Sequence, residues 1–344
     1  MSIIQGIPDP GPGLRLHLNE HTGGCSPRVL EAIRSLDATA LSFYPDYKPV
    51  VLETAAFLGV DPDQVLLLNG LDEGIFLTAT ALFGSRMPNV GNAVVPLPAF
   101  ETYLTACGAV AARVVTVPPG PDLTFPIDGV IRAIDHSTKL VFVNNPNNPS
   151  GRLVPRADIR RVVEANPTAV VFVDEAYWEY GGESFLDELP KYPNVIIGRT
   201  FSKAYGMAGI RAGVMVAHPR LLERIRPIVP LFNLNVAAVA AVRAALQDQA
   251  FVAESVAQAN ESKALLYAAL DRLGLRYWKS ATNFVLVDGG DRAREIIDGL
   301  WAKQIFFRDR TKDQWCPNCF RITTGVVAHT RQAIAALEEL CAAR

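Results

Sequence analysis

The chain has 344 residues, of which 49% are hydrophobic and 20% charged, and its formal net charge is −2. This length predicts two domains, and the interspersed, nearly balanced charge argues against a nucleic-acid-binding surface. The most apolar region, residues 228–246, contains Asn233, Asn235 and Arg243, and the first residues lack the charged and apolar regions of a secretory signal. We therefore predict neither a membrane span nor a secretory leader.

Five cysteines are scattered along the chain, at positions 25, 107, 316, 319 and 341. Their scatter is typical of a reduced, cytoplasmic protein. Cys316 and Cys319 form a C-x-x-C pair, but no second pair exists to complete a zinc site, and the usual strand-to-helix redox setting is missing. We interpret this pair as structural and predict no metal site.

The N-terminal part of the chain predicts an arm followed by a short strand and a helix. Prolines and glycines crowd residues 8–13, which favours an extended arm over residues 1–13. Residues 14–19 alternate like a strand. Ser26 and Pro27 are typical of a helix start, here over residues 27–36, and residues 42–46 predict a turn.

A repeating strand–helix pattern follows and predicts an α/β fold. Near-continuous apolar runs separated by helical segments indicate a mostly parallel sheet that is covered by helices on both faces. The predicted strands are residues 64–69, 93–96, 113–117, 139–144, 169–174, 195–198 and 212–217. The predicted helices between them are residues 70–83, 101–108 and 155–165.

The pattern changes after about residue 235. A long helical region over residues 235–273, with a break near 247–250, precedes strands at 284–288, 305–308 and 320–323 and helices at 292–303 and 330–343. We predict a large domain over residues 41–240 and a smaller C-terminal α+β domain over residues 241–344. Residues 1–40 would supply the arm and a segment of the small domain.

The stretch from Thr200 to Gly213 carries the most specific chemical signal. It follows a buried strand and combines the amine of Lys203, the hydroxyls of Thr200 and Ser202, and the guanidinium of Arg211. Such a set suits an aldehyde cofactor with a phosphate tail. Lys203 would form the Schiff base, and the other three residues would hold the phosphate.

Polar residues at the ends of the other predicted strands fit the same cofactor, because ligands of open α/β sheets bind beyond the carboxyl ends of the strands. Asp174 can pair with a protonated pyridine nitrogen, and Asn148 and Tyr177 can contact a ring oxygen. Phe100 can stack on the ring face. Backbone amides at a helix start can bind phosphate, here those of Gly70, Leu71 and Asp72. Each residue alone is more typical of a turn, a cap or the core; the joint, ordered occurrence is what favours a site.

In these motifs the chain resembles the fold-type I pyridoxal-phosphate (PLP) enzymes of aminotransferase class I/II, and within them the histidinol-phosphate aminotransferase branch. The resemblance covers residues 14–340 and rests on NNPSG at 147–151, VDEAY at 173–177 and FSKAYGMAGIRAG at 201–213. It implies that Lys203 is the Schiff-base lysine and that the residues named above contact PLP. It also implies a homodimer with shared active sites, in which Tyr44 reaches the partner's phosphate.

The same resemblance implies the substrate-binding residues. Arg321 matches the family's anchor for an anionic group, and Arg308 matches the second arginine of the histidinol-phosphate branch. Two arginines suit a phosphorylated substrate, because guanidinium groups bind phosphate in a bidentate manner. We therefore expect L-histidinol phosphate as amino donor and 2-oxoglutarate as acceptor, in a ping-pong reaction of histidine biosynthesis.

One departure leaves the substrate open. Gly23 replaces the aromatic residue that lines the family's substrate pocket, which we expect to enlarge the pocket or remove a phosphate contact. An aromatic amino acid, or decarboxylation of an amino acid phosphate as in threonine-phosphate decarboxylases, remains an alternative. A noncatalytic nucleotide-binding protein is disfavoured, because the spacing of Gly206, Gly209 and Gly213 fits no nucleotide-binding motif. His21 is an alternative acid–base residue, but Lys203 already supplies that chemistry.

Overall fold

In the part of the chain that the structure describes, the larger of two sheets contains seven strands, of which six are parallel. The computed structural model describes residues 10–84 and 91–342. The sheet order is β2-β8-β7-β6-β5-β3-β4, and β8 alone runs antiparallel to its neighbours. The strands are β2 (Val65–Leu68), β3 (Asn92–Pro96), β4 (Arg113–Val117), β5 (Thr138–Asn144), β6 (Val170–Asp174), β7 (Val195–Thr200) and β8 (Gly213–Ala217). The predicted mostly parallel α/β sheet is confirmed.

Helices cover both faces of this sheet. In β5, Leu140 and Phe142 belong to one buried cluster and Val141 and Val143 to another, so alternate side chains enter two separate cores. This is why the strands read as continuous apolar runs. One face is covered by α4 (Leu71–Phe83), α5 (Glu101–Ala109) and α8 (Pro219–Leu222). The other is covered by α1 (Pro27–Arg34), α3 (Lys48–Leu58), α6 (Ile127–Ala133), α7 (Arg156–Ala165) and α9 (Val236–Leu246).

The smaller sheet has five strands among the described residues, and its first strand comes from the N-terminal segment. Its order is β1-β11-β12-β10-β9, with β1 parallel to β11. The strands are β1 (Leu14–Leu16), β9 (Arg276–Tyr277), β10 (Phe284–Asp288), β11 (Ile305–Arg310) and β12 (Cys319–Thr323). Its core is completed by α10 (Gln249–Leu273), α11 (Ala293–Ala302) and α12 (Val327–Ala342). Residues 1–9 of the predicted arm lie outside the described residues.

Helix α10 links the two cores. Val252 and Ala259 pack in the core of the large sheet, whereas Leu266 and Leu270 pack in the core of the small sheet. The predicted domain bounds, at residues 40 and 240, stay a proposal. Within the described residues no single helix has the length and hydropathy of a membrane span, although α9 and α10, bent by 82°, pass that test as a pair.

Among the helices that the structure describes, the sequence pattern missed four: α2 (Ala38–Ser42), α3, α6 and α8. Helix α2 has no buried residue, so it lacks the apolar periodicity on which prediction depends. Helix α3 buries Val50, Thr54 and Ala55 but follows a proline-containing turn and has apolar residues around much of its circumference. The predicted turn at residues 42–46 therefore begins at the last residue of α2.

Candidate active site

A cavity of about 270 Å³ lies at the carboxyl ends of β5, β6 and β7 and is closed on one side by the small sheet. Most of the residues predicted from the sequence line it together. They are Leu71, Asp72, Phe100, Asn148, Asp174, Tyr177, Thr200, Ser202, Lys203, Arg211, Arg308 and Arg321. Residues that stand at five strand ends or helix starts, far apart in the chain, therefore share one cavity.

Lys203 lies three residues after the end of β7. Its Nζ donates a hydrogen bond to the carbonyl of Leu18, at 3.2 Å. Burial, together with the positive charge of Arg321, lowers the pKa of Lys203 to about 8. A neutral amine is the nucleophilic form of lysine, so the cavity raises the fraction of the reactive form near physiological pH. Leu18 could not be predicted from its residue type, because it contacts Lys203 through its backbone carbonyl.

This pKa makes a prediction for the cofactor-free protein. Only the neutral amine reacts, so modification of Lys203 by trace trinitrobenzenesulfonate should rise with pH and level off above the midpoint. We expect that midpoint near the pKa of about 8. Peptide mass spectrometry across a pH series measures it. A midpoint near the ordinary lysine value of about 10.4 would show that the cavity does not perturb the amine.

Asp174 ends β6 and is 2% exposed. Its carboxylate accepts hydrogen bonds from the hydroxyl of Tyr103 at 2.6 Å and from the backbone N–H of Ala176 at 3.0 Å. Burial raises the pKa of Asp174 to about 6, against these hydrogen bonds, and the charges of Asp72 and Glu175 add to the rise. A buried carboxylate with a raised pKa is stabilised by a cationic partner, as a protonated ring nitrogen would provide.

Tyr103 was not predicted as a site residue. It lies one helical turn after Phe100 on α5, and its ring stacks on Phe142 with centroids 4.4 Å apart. Residues three apart share a helix face. The three-residue spacing from Phe100 could therefore have identified Tyr103. If Phe100 faces the cavity, Tyr103 lies on the same side of the helix, towards Asp174.

Asn148 and Tyr177 line the cavity near Lys203. Tyr177 is 4% exposed, and its hydroxyl accepts a hydrogen bond from Nδ2 of Asn19 at 2.9 Å. The Nζ of Lys203 lies 5.8 Å from the centroid of the Tyr177 ring. The Oδ1 of Asn148 accepts a hydrogen bond from Nη1 of Arg321, so Asn148 joins the large-sheet wall to the small-sheet wall.

The opposite end of the cavity combines hydroxyls, a guanidinium and a helix N-terminus. Nη1 of Arg211 lies 3.4 Å from Oγ of Ser202, and Nη2 lies 3.2 Å from Oδ2 of Asp72. Gly70 precedes α4 with φ of 81°, and a Cβ there would lie 2.2 Å from Nη2 of Arg211. Glycine is therefore required for this arginine to reach the helix start, where free backbone N–H groups favour an anion.

The small sheet contributes three arginines. Arg308 on β11 pairs in register with Arg321 on β12, and Arg310 lies two residues further along β11. All three line the cavity. Arg321 is 6% exposed, and its Nη2 donates to the carbonyl of His17 at 3.0 Å. Burial lowers the pKa of Arg321 to about 10. Arg310 was missed, although its position two residues after Arg308 in a strand places both on one face.

Gly23 is absent from the lining of this cavity among the described residues, and its expected effect on the substrate pocket stays a prediction. A Cβ at Gly23 would lie 2.7 Å from Cγ2 of Val326, so the position faces the start of α12. Glu20, three residues earlier, lines the cavity instead. The nearby ring of His21 packs on Phe251, and burial lowers its pKa.

Tyr44 and the cysteine pair also lie away from the cavity. Tyr44 is 75% exposed and stacks on Phe232 with ring centroids 3.8 Å apart. Cys316 and Cys319 are buried with Trp278 and Leu286 in a small apolar cluster. Among the residues that the structure describes, no group of three potential metal ligands is found.

Comparison with known proteins identifies close relatives. The profile of the family described as aminotransferase class I and II matches residues 12–337. The histidinol-phosphate aminotransferase of Geobacillus sp. (strain WCH70) is 35% identical over 335 residues, covering 95% of this chain and 90% of that protein. That of Symbiobacterium thermophilum is 36% identical, covering 94% and 90%. The crystal structure of histidinol-phosphate aminotransferase from Sinorhizobium meliloti, in complex with pyridoxal-5'-phosphate, is 31% identical with a TM-score of 0.87, covering 96% and 90%.

Proposed function

The chain belongs to the class I and II aminotransferases, and from that membership we propose that it transfers the amino group of L-histidinol phosphate to 2-oxoglutarate, using PLP. The observation that carries the substrate assignment is the convergence of Arg308 and Arg321 on one wall of the cavity that Lys203 and Asp174 also line. Chemically this wall suits a phosphate group.

The residues of the cavity fit PLP at each of its three chemical features. The amine of Lys203 suits the aldehyde, and the buried carboxylate of Asp174 suits the protonated ring nitrogen. Thr200, Ser202, Arg211 and the start of α4 suit the phosphate. The absence of a Cβ at Gly70 lets the guanidinium of Arg211 lie against the start of α4, which supports the same assignment for the phosphate end.

When bound, PLP supplies an electron sink for the charge that develops at the substrate's α-carbon. The chain's own contribution begins with Lys203, which holds the cofactor and afterwards carries a proton. Because burial lowers the pKa of Lys203 to about 8, its Nζ can take the proton from the α-carbon and later return one. We assign it both roles.

Asp174 maintains the protonation of the ring nitrogen in this proposal. Its carboxylate is held in place by Tyr103 and by the backbone of Ala176. Asn148 and Tyr177 would contact the ring oxygen, and Phe100 would stack on the ring. Gly70, Leu71 and Asp72 would position the phosphate at the start of α4.

Arg308 and Arg321 would bind the anionic end of the donor and, in the second half-reaction, a carboxylate of the acceptor. Arg321 reaches from the small sheet to Asn148 on the large-domain wall, which supports a role at the junction of the two walls. Two guanidinium groups match a phosphate more fully than a single carboxylate. An aromatic donor would leave one of them without an anion.

A homodimer in the cytoplasm is part of the same proposal. Tyr44 would reach the phosphate site of a second copy, as the family resemblance implies. Its exposure supports this role, because a 75% exposed tyrosine is available to a partner. Phe43 and Leu231 are also largely exposed, at 71% and 81%, and belong to the same segments as the Tyr44–Phe232 stack.

A single-turnover screen of amino donors tests the substrate. PLP-loaded protein is mixed separately with L-histidinol phosphate, L-phenylalanine and O-phospho-L-threonine, and the cofactor's absorption and the products are followed. We expect histidinol phosphate to react at least about tenfold faster than phenylalanine, because both arginines find an anion. Faster reaction of phenylalanine would identify an aromatic aminotransferase. Release of CO₂ from phosphothreonine would identify the decarboxylase.

A further inference from the structure

The wall formed by β11 and β12 carries more positive charge than the two arginines assigned above. Arg308 and Arg310 are two residues apart on β11 and share a face of the strand, and Arg321 lies directly opposite Arg308 on β12. All three line the cavity. Three like charges on one face repel each other, so this arrangement needs anions nearby.

Glu101 and Asp313 provide the anions in this structure. Arg310 donates from Nη1 to Glu101 and from Nη2 to Asp313, each at 2.5 Å. Nη2 of Arg308 lies 3.9 Å from Oε2 of the same Glu101. Glu101 is in the first turn of α5, which packs on the large sheet. Its carboxylate therefore connects this helix to two arginines of the small sheet.

The two carboxylates differ in how firmly they are held. The side chain of Asp313 is 17% exposed, and its other carboxylate oxygen accepts from the backbone N–H of Trp315. The side chain of Glu101 is 62% exposed. An exposed glutamate loses little when it turns into solvent, whereas the half-buried Asp313 is held beside Arg310.

Two buried guanidinium donors have no acceptor. The Nε–H groups of Arg310 and Arg321 are both shielded from solvent and lack a hydrogen-bond partner within the described part of the chain. The side chain of Arg310 is only 9% exposed. Buried donors without acceptors are unfavourable, and an anion with several oxygens would satisfy them.

We propose that Arg310 is a third anion-binding arginine and that Glu101 is a displaceable counter-ion, together making this wall selective for a doubly charged phosphate. The proposal rests on the proposed function and concerns residues that the sequence analysis left unassigned. We call Arg308, Arg310, Arg321, Glu101 and Asp313 the anion subsite. Arg310 and Glu101 affect which anion binds, and neither of these two residues takes part in proton transfer.

The charges of the anion subsite suit both substrates of a ping-pong reaction. With Glu101 in place, three guanidinium groups face two carboxylates, which leaves one positive charge for a singly charged carboxylate. When Glu101 turns out, two positive charges remain, which match a dianionic phosphate. The second pKa of a phosphate monoester is about 6, so the dianion dominates at neutral pH. By turning in or out, the exposed Glu101 therefore changes the net charge of the anion subsite to match either a carboxylate or a phosphate dianion.

Calorimetry with matched ligands that lack an amino group tests this directly. n-Propyl phosphate and butyrate are titrated into the PLP-loaded enzyme and into its Arg310→Met and Glu101→Gln variants. We expect Arg310→Met to weaken phosphate binding by on the order of tenfold and butyrate binding by less than about threefold. Glu101→Gln should strengthen phosphate binding several-fold more than butyrate binding, because displacement of the carboxylate is no longer needed.

The double variant Glu101→Gln/Arg310→Met separates charge from structure. In Arg310→Met the carboxylate of Glu101 remains beside Arg308 and neutralises it, so removing that carboxylate should restore part of the phosphate affinity. Arg294→Met is the matched control. Arg294 pairs with Asp309, between the two β11 arginines, on the opposite face of the strand. Its loss should leave the ratio of the two affinities unchanged.

Several outcomes would overturn the inference. Equal losses for both ligands in Arg310→Met would mean that Arg310 only supports the hairpin. Weaker phosphate binding in Glu101→Gln would mean that Glu101 organises the arginines and is not displaced. If the unmodified enzyme binds n-propyl phosphate and transaminates histidinol phosphate, either of these two results contradicts the anion-subsite inference and leaves the proposed function intact. If it does neither, the proposed function fails as well.

Discussion

Lys203→Ala should lower kcat for transamination by roughly 10⁴-fold or more, the scale seen when an enzyme loses a covalent catalytic group. Alanine removes both the amine that holds the cofactor and the base that moves the α-proton. The change also leaves the carbonyl of Leu18 without the hydrogen bond that it accepts from Lys203. Steady-state kinetics with histidinol phosphate and 2-oxoglutarate, together with the visible absorption of the purified protein, measure the loss.

Lys263→Met is the matched control for this variant. Burial lowers the pKa of Lys263 to about 8, as it does for Lys203, but Lys263 lies on α10 and donates to the carbonyl of Ser280 at 3.0 Å. It is absent from the lining of the cavity among the described residues. Lys263→Met should therefore keep kcat within about threefold, because an apolar residue can replace a buried cation. Comparable losses of kcat in both variants would contradict the assignment of the catalytic role to Lys203.

Asp174→Asn should lower kcat by about 10²–10³-fold, the scale expected for loss of a preorganised electrostatic contact. Asparagine preserves the size of the side chain but cannot stabilise a positive ring nitrogen. The site is buried, so water cannot replace the missing charge. The rate of the donor half-reaction measures the effect, and cofactor content measured by absorbance separates chemistry from binding.

Tyr103→Phe is the companion variant. It keeps the carboxylate of Asp174 and removes one hydrogen bond to it, at 2.6 Å. Since that hydrogen bond lowers the pKa of Asp174, its loss should raise this pKa further, and the rate should fall by less than about tenfold. A loss in Asp174→Asn no larger than in Tyr103→Phe would contradict the assignment of Asp174 to the ring nitrogen.

The cofactor end of the cavity could be predicted from the sequence because its signals are local. Thr200, Ser202, Lys203 and Arg211 lie in one short stretch, and Asp174 ends an unmistakably apolar strand. The parallel sheet then brings the strand ends to one edge. Only the alternation of strands and helices had to be recognised, and that pattern is strong in this chain.

The substrate end was harder to predict, because it depends on contacts between distant segments. Arg308 and Arg321 were identified by family resemblance, whereas Arg310 was missed because the predicted strand ended at Arg308 and β11 continues to Arg310. The contact of Glu101 with Arg310 joins residues 209 positions apart. No short-range pattern reports such a contact.

Gly23 illustrates a different limit. The family resemblance indicated that an aromatic residue is replaced by Gly23, but it did not indicate where this segment of the chain packs. In the structure this position faces Val326, and Glu20 takes a place in the cavity lining. Tyr103 and Leu18 were missed for simpler reasons. Tyr103 acts from the first turn of α5, next to a residue that was predicted, and Leu18 acts through a backbone carbonyl.

Borohydride reduction of the purified, PLP-loaded protein, followed by peptide mass spectrometry, tests the central claim most directly. Reduction makes the link between the cofactor and its lysine permanent, so the modified peptide identifies that lysine. The account predicts one modified residue, Lys203, with the cofactor's mass retained on the peptide that also carries Ser202. Modification of another lysine such as Lys263, or retention of no cofactor, would contradict it.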